Sequence, residues 1–80
     1  MSTSDATTDR ILALACERFD RPPGSLSAED DLFQSLGIDS MQALDLMTRL
    51  EETFDVEIPD YELQGVSTFA DLAALVRRRQ

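Results

Sequence analysis

Apolar positions along the chain recur at helical spacing, with no sustained alternation. In the first long segment Ile11, Ala15 and Phe19 fall at i, i+4 and i+8, with Leu12 and Leu14 widening the stripe. The spacing predicts a helix from Asp5 to Phe19. Arg21-Pro22-Pro23-Gly24 should end it, because proline removes a backbone donor and restricts the residue before it. A second helix is expected over Ser40 to Thr53, where Ala43, Met47, Leu50 and Phe54 fall at i, i+4, i+7 and i+11 with Leu46 on the flank. Asp39 can cap it. Asp55-Val56-Glu57-Ile58-Pro59 reads as an extended link returning Val56 or Ile58 to the core, and a short helix fits Asp60 to Gln64 before Gly65. Thr68-x-x-Asp71 is a capping-box-like start for the last helix, whose apolar face is Phe69, Leu72, Ala73, Leu75 and Val76 and whose end is Arg77-Arg78-Arg79.

Between Asp20 and Asp39 no period is sustained. Leu26, Leu32, Phe33, Leu36 and Ile38 are spaced to pin this long connection to a core, and Ser27-x-x-Asp30 could cap a short helical turn within it. The expected fold is therefore all-α: a small bundle of three principal helices plus one short helix, with a long loop between helices one and two. One domain over residues 1–80 is expected, with 1–5 a poorly ordered polar tail.

Charge changes the picture. Sixteen Asp and Glu stand against seven Lys and Arg, a formal net charge of −9, and such a chain is repelled by phosphate backbones and anionic membranes. Nucleic-acid binding and membrane insertion are not expected, and partners should be basic. The acidity is concentrated: from Glu29 to Glu62 eleven acidic residues face Arg49 alone, so this segment carries −10. There is no His and one Cys, so a metal centre or a nucleophile–base pair lacks its usual groups. Cys16, on or beside the first helix's buried stripe, is expected to be a small core hydrophobe. Without internal disulfides, without a basic leader in Met1-Ser2-Thr3-Ser4-Asp5 and without a long apolar run, the chain is expected to be a soluble cytoplasmic monomer. Arg77 to Arg79 should complement the dipole of the last helix, and Tyr61 should cap the core near the short helix.

Two features of the second helix carry chemistry. At roughly 100° per residue, Met41 points roughly 160° away from the buried stripe and Leu44 roughly 100°. Around them lie Gln42, Asp45, Thr48, Arg49 and Glu52, so apolar groups sit in an acidic field suited to docking a basic partner. A solvated face with scattered apolar residues has the same pattern. The other feature is Ser40 within Leu36-Gly37-Ile38-Asp39-Ser40. A first-turn serine is commonly a cap, but Asp39 is a competing cap that would leave its hydroxyl free, and a phosphate ester there would meet the positive end of the helix.

These residues resemble the acyl carrier protein family. The resemblance rests on Leu36-Gly37-x-Asp39-Ser40-Met41, on Leu46 through Leu50-Glu51-Glu52-x-Phe54-Asp55-x-Glu57-Ile58-Pro59-Asp60, and on Thr68 opening the final helix, and it runs from about residue 8 to 76. It implies a carrier without catalysis of its own. A phosphopantetheinyl transferase would move 4′-phosphopantetheine from coenzyme A onto Ser40, and the arm would carry acyl groups as thioesters among acyl-transferring, condensing and reducing enzymes with basic docking patches, for fatty-acid or polyketide synthesis. Positions matching the family's docking face are Asp39, Met41, Leu44, Asp45, Thr48, Glu51 and Glu52. Those matching its acyl-binding interior are Leu32, Phe33, Leu46, Leu50, Ile58, Leu63, Val66 and Leu72.

Departures from the family's common pattern are Met41 for leucine, Gln42 for an acid, Thr48 for methionine, and bulky Leu63 and Leu72, which would narrow an acyl cavity. An aminoacyl, peptidyl or D-alanyl carrier is the rival within this class, although peptidyl carriers usually show glycine where Ile38 stands. A helical adaptor that never receives a prosthetic group is the rival outside it.

Overall fold

A computed structural model describes residues 6–79. The polar tail 1–5 and the predicted first helical residue, Asp5, lie outside the described residues. Four α-helices and one 3-10 helix follow in order: α1 (Ala6–Arg18), α2 (Leu32–Leu36), α3 (Ser40–Phe54), the 3-10 helix (Asp60–Gly65) and α4 (Phe69–Arg79). Helix α1 packs against both α3 and α4, and the 3-10 helix packs against α4. The core between them holds Ile11, Leu32, Leu46, Leu50, Phe69, Leu72, Leu75 and Val76, each fully buried. Cys16 is buried and free.

The apolar stripes explain this arrangement. Helix α3 buries Ala43, Leu46, Met47 and Leu50, the i, i+3, i+4, i+7 set of one helical face, and α4 buries Phe69, Leu72, Ala73, Leu75 and Val76. Helix α4 opens on the capping box read from the sequence: Asp71 N–H donates to Thr68 Oγ1 at 3.1 Å, and Thr68 N–H donates back to Asp71 Oδ2 at 3.2 Å.

Helix α1 ends at Arg18, within a residue of the expected end and before the two prolines, because Asp20 turns left-handed at φ 57° and Arg21 N–H donates to Cys16 O at 2.8 Å. That six-to-one bond closes the helix as a Schellman motif, and Phe19 beyond it is half-buried against the core. The long connection also holds a helix of its own. Helix α2 is capped by Asp31, whose side chain accepts from Gln34 N–H at 2.8 Å, not by Ser27. Just before it, Asp30 accepts from Ser27 N–H at 2.9 Å, one half of the box read from Ser27-x-x-Asp30, and Asp30 N–H donates to Ser27 O at 3.0 Å to close a single turn.

Three contacts fasten this connection to the bundle. Leu32 N–H donates to Ser67 O at 2.7 Å within an isolated antiparallel bridge between Asp31 and Thr68. Phe69 N–H donates to Asp30 O at 3.3 Å and Ala70 N–H to Ala28 O at 2.9 Å, while within the connection the Arg21 guanidinium donates to Leu36 O at 2.8 Å, satisfying a carbonyl at the end of α2. The loop is thus a fixed part of the fold, and it delivers the chain to the start of α3.

Candidate functional site

Gly37 makes the approach to Ser40 possible. It takes the left-handed conformation at φ 65°, which closes α2 through Gly37 N–H and Ile38 N–H donating to Phe33 O at 2.8 and 3.1 Å. Ile38 is half-buried against the core, and Asp39 then caps α3. The Asp39 carboxylate accepts from Gln42 N–H at 3.0 Å, while Gln42 Oε1 accepts from Asp39 N–H at 3.2 Å. Gln42, the residue that departs from the acid common in the family, completes this reciprocal box.

The consequence falls on Ser40. With Asp39 and Gln42 capping each other, the exposed Ser40 hydroxyl makes no hydrogen bond among the described residues. The first backbone bond of α3 is Ala43 N–H to Asp39 O at 3.0 Å, so the N–H groups of Ser40 and Met41 point out of the helix end unpaired. A free primary hydroxyl beside unpaired donors, at the positive end of a 15-residue helix, fits a phosphodiester, whose oxygens such groups attract.

Beside Ser40 lies an open cleft of about 300 Å³, lined by Phe33, Leu44, Asp60, Leu63, Gln64 and Val66 as well as Ser40 itself. It has an apolar floor, with Leu63 and Val66 each 7% exposed, and a partly polar rim. Phe33 is half-buried, packs against the core and forms one wall of this mouth. Leu32, Leu46, Leu50, Ile58 and Leu72 are buried in the core behind.

On the outer face of α3, Asp39, Met41, Asp45, Thr48 and Glu52 are exposed, Met41 the most of any large apolar residue at 79%, while Leu44 and Glu51 are half-buried. Thr48 Oγ1 donates to Leu44 O at 3.1 Å. Two of the acids have partners the sequence did not reveal. Glu51 turns toward the following loop, where Oε2 accepts from Ile58 N–H at 2.7 Å, and Asp45 forms an ion pair with Arg18 of α1. Tyr61, expected over the core, is instead 70% exposed.

Arg78 and Arg79, at the end of α4, both pair with Glu62 of the 3-10 helix, Arg78 at 3.4 Å, so their charge serves more than the helix dipole. Among the described residues no cluster of metal-ligating side chains occurs, and no helix is long and apolar enough to cross a membrane.

Comparison with known proteins agrees with this geometry. The family described as phosphopantetheine attachment site matches residues 9–76. The crystal structure of an acyl carrier protein from Thermotoga maritima is similar, with a TM-score of 0.73 and 26% sequence identity over 88% of this chain and 81% of that one. With its helical fold, this chain belongs to the phosphopantetheine-attachment family of acyl carrier proteins: it is a carrier, not an enzyme, and 4′-phosphopantetheine is its covalently bound cofactor.

Proposed function

We propose that Ser40 Oγ is the attachment atom and that the chain is a discrete acyl carrier for fatty-acid or polyketide-type synthesis. The observation that carries this reading is the free, exposed Ser40 hydroxyl at the capped start of α3, beside the apolar cleft. The reciprocal box of Asp39 and Gln42 holds the helix end rigid and keeps both side chains off the serine oxygen. The unpaired N–H groups of Ser40 and Met41 attract the phosphodiester and orient the arm beyond it. When bound, the cofactor supplies a thiol on a flexible arm; this chain presents that arm to partner enzymes.

The exposed side of α3 is the surface those enzymes read. Asp39, Asp45 and Glu52 steer a basic patch toward it, and Met41 and Leu44 give the encounter apolar contact to hold. A phosphopantetheinyl transferase is the first such partner, and acyl-transferring, condensing and reducing enzymes are the later ones. The half-buried Glu51 contributes less to this surface, since its carboxylate is engaged by the loop.

The cleft walled by Phe33, Leu44, Leu63 and Val66 is the entrance for cargo. At about 300 Å³ and open on one side, it offers an apolar floor to the start of a chain. Each methylene leaving water there gains about 0.8 kcal/mol, so an acyl group is favoured over a charged aminoacyl group. Loading tests this: the phosphopantetheinylated protein is offered to an acyl-activating enzyme with a medium-chain fatty acid and to a panel of amino-acid-adenylating enzymes. Efficient acyl loading with negligible aminoacylation is expected, and efficient aminoacylation would overturn the acyl assignment.

A further inference from the structure

The α3 surface is not uniformly acidic: Arg49 of α3 itself lies on it, and α1 reaches into it. Arg18, the last residue of α1, forms an ion pair with Asp45, 27 positions along the chain and in the middle of the exposed side of α3. Both side chains remain open to solvent, at 40% and 46% exposure, and the guanidinium lies 5.3 Å from the centre of the Phe19 ring, which fixes where it rests. Arg10, the other cation of α1, has no acidic partner among the described residues. The pairing is therefore specific to Arg18, whose place at the C-terminal end of α1 puts it within reach of α3.

We propose that Arg18 is a specificity-determining residue that masks Asp45 from basic partners. The inference rests on the docking role given above to the outer side of α3. A partner cation seeking Asp45 must first displace the guanidinium. A partner that relies on Met41, Leu44 and Glu52 meets no such competitor. An exposed ion pair is weak, so the mask is displaceable: it shifts affinity about two- to fivefold and discriminates among partners without blocking any. Arg18 acts through Asp45, not by touching the serine, so it is a positioning residue for the encounter.

The test measures the KM of the unmodified carrier with a broad-specificity phosphopantetheinyl transferase and coenzyme A, at low and high salt. Arg18→Met keeps an unbranched side chain beside Phe19 and removes the charge. It should lower KM about two- to fivefold at low salt with kcat unchanged, the gain should vanish at high salt, and Arg18→Lys should restore the original KM. Asp45→Asn should raise KM, and in that background Arg18→Met should have no further effect. Arg10→Met controls for the same change in net charge and should leave KM unaltered.

Each alternative result is decisive. If Asp45→Asn raises KM but Arg18→Met does not lower it, masking is overturned while the docking surface stands. Masking is likewise overturned if Arg18→Met acts equally in both backgrounds, or if Arg10→Met matches it. If Asp45→Asn and Arg18→Met both leave KM unchanged, the docking surface itself is misplaced and masking falls with it.

Discussion

Glu51 holds Ile58: a carboxylate near the end of α3 accepts the backbone N–H of a residue seven positions on, at 2.7 Å. The bond spans the turn at Asp55, where the chain goes left-handed at φ 56° and Val56 N–H closes α3 onto Glu51 O at 3.1 Å. Ile58, 4% exposed, is thereby set into the core, and the 3-10 helix that lines the cleft begins two residues later. One side chain thus couples the end of α3 to the wall of the candidate cargo site.

Glu51→Ala should destabilise the protein by about 1.5–3 kcal/mol, the range for a hydrogen bond to a charged group. Glu51→Gln, which keeps an acceptor, should lose less. Urea denaturation measures both. Equal stability for Glu51→Ala and the parent chain would show that the carboxylate does not anchor the loop.

The Asp71 carboxyl is held below its ordinary value of 3.8, first by the Ser67 N–H and then by the Thr68 N–H that it accepts. A pKa lowered in the folded state adds stability above the unfolded value and loses it as pH falls through the folded one. Asp71→Asn should therefore be less stable than the parent at neutral pH, with the gap closing below the ordinary carboxyl value. Thermal melts across that range check the sign; a gap that widens on acidification would be contrary to the assigned cap.

Asp20 stands left-handed at φ 57°, a conformation glycine adopts without the steric cost met by other residues. Asp20→Gly should stabilise the chain by up to about 1 kcal/mol, and Asp20→Val should destabilise it by about 1–2 kcal/mol. The position is exposed, just beyond the end of α1, so far-ultraviolet circular dichroism should stay unchanged while the two denaturation midpoints move apart.

Leu44→Arg puts a cation on the rim of the cleft, at a half-buried position. Because the Leu44 side chain also packs against the core, the substitution should cost about 1–2 kcal/mol of stability and leave the protein folded. The KM for the phosphopantetheinyl transferase should rise, and more steeply at low salt than at high salt. A variant that folds and is modified with parent kinetics would remove Leu44 from the docking surface.

The range of each interaction decides whether it is readable from sequence. Helix α3 and helix α4 are legible because their apolar periods are long and their caps, Asp39 and the Thr68–Asp71 box, lie within three residues of their partners. The cap of α2 is equally local, since Asp31-x-x-Gln34 is the same type of pattern as Asp39-x-x-Gln42, but five residues are too few to show a period. The end of α1 is legible to within a residue, but the left-handed aspartate that makes the stop is not, since Asp20 carries no local mark of its positive φ. The pairs Arg18 with Asp45 and Arg78 with Glu62 join residues 27 and 16 positions apart, and no local pattern announces them. Phe33 shows the same limit: that it helps pin the connection to the core is readable, but that it walls a cleft with Leu63 and Val66, some thirty positions on, is not.

The proposed attachment at the Ser40 oxygen is reached directly by one measurement. The purified unmodified protein and its Ser40→Ala variant are incubated with coenzyme A and a broad-specificity phosphopantetheinyl transferase, and intact masses are recorded. The parent chain should gain one phosphopantetheine and the variant none, with the two proteins equally folded by circular dichroism. An unmodified parent chain, or a variant that still takes up the group, would contradict the assignment.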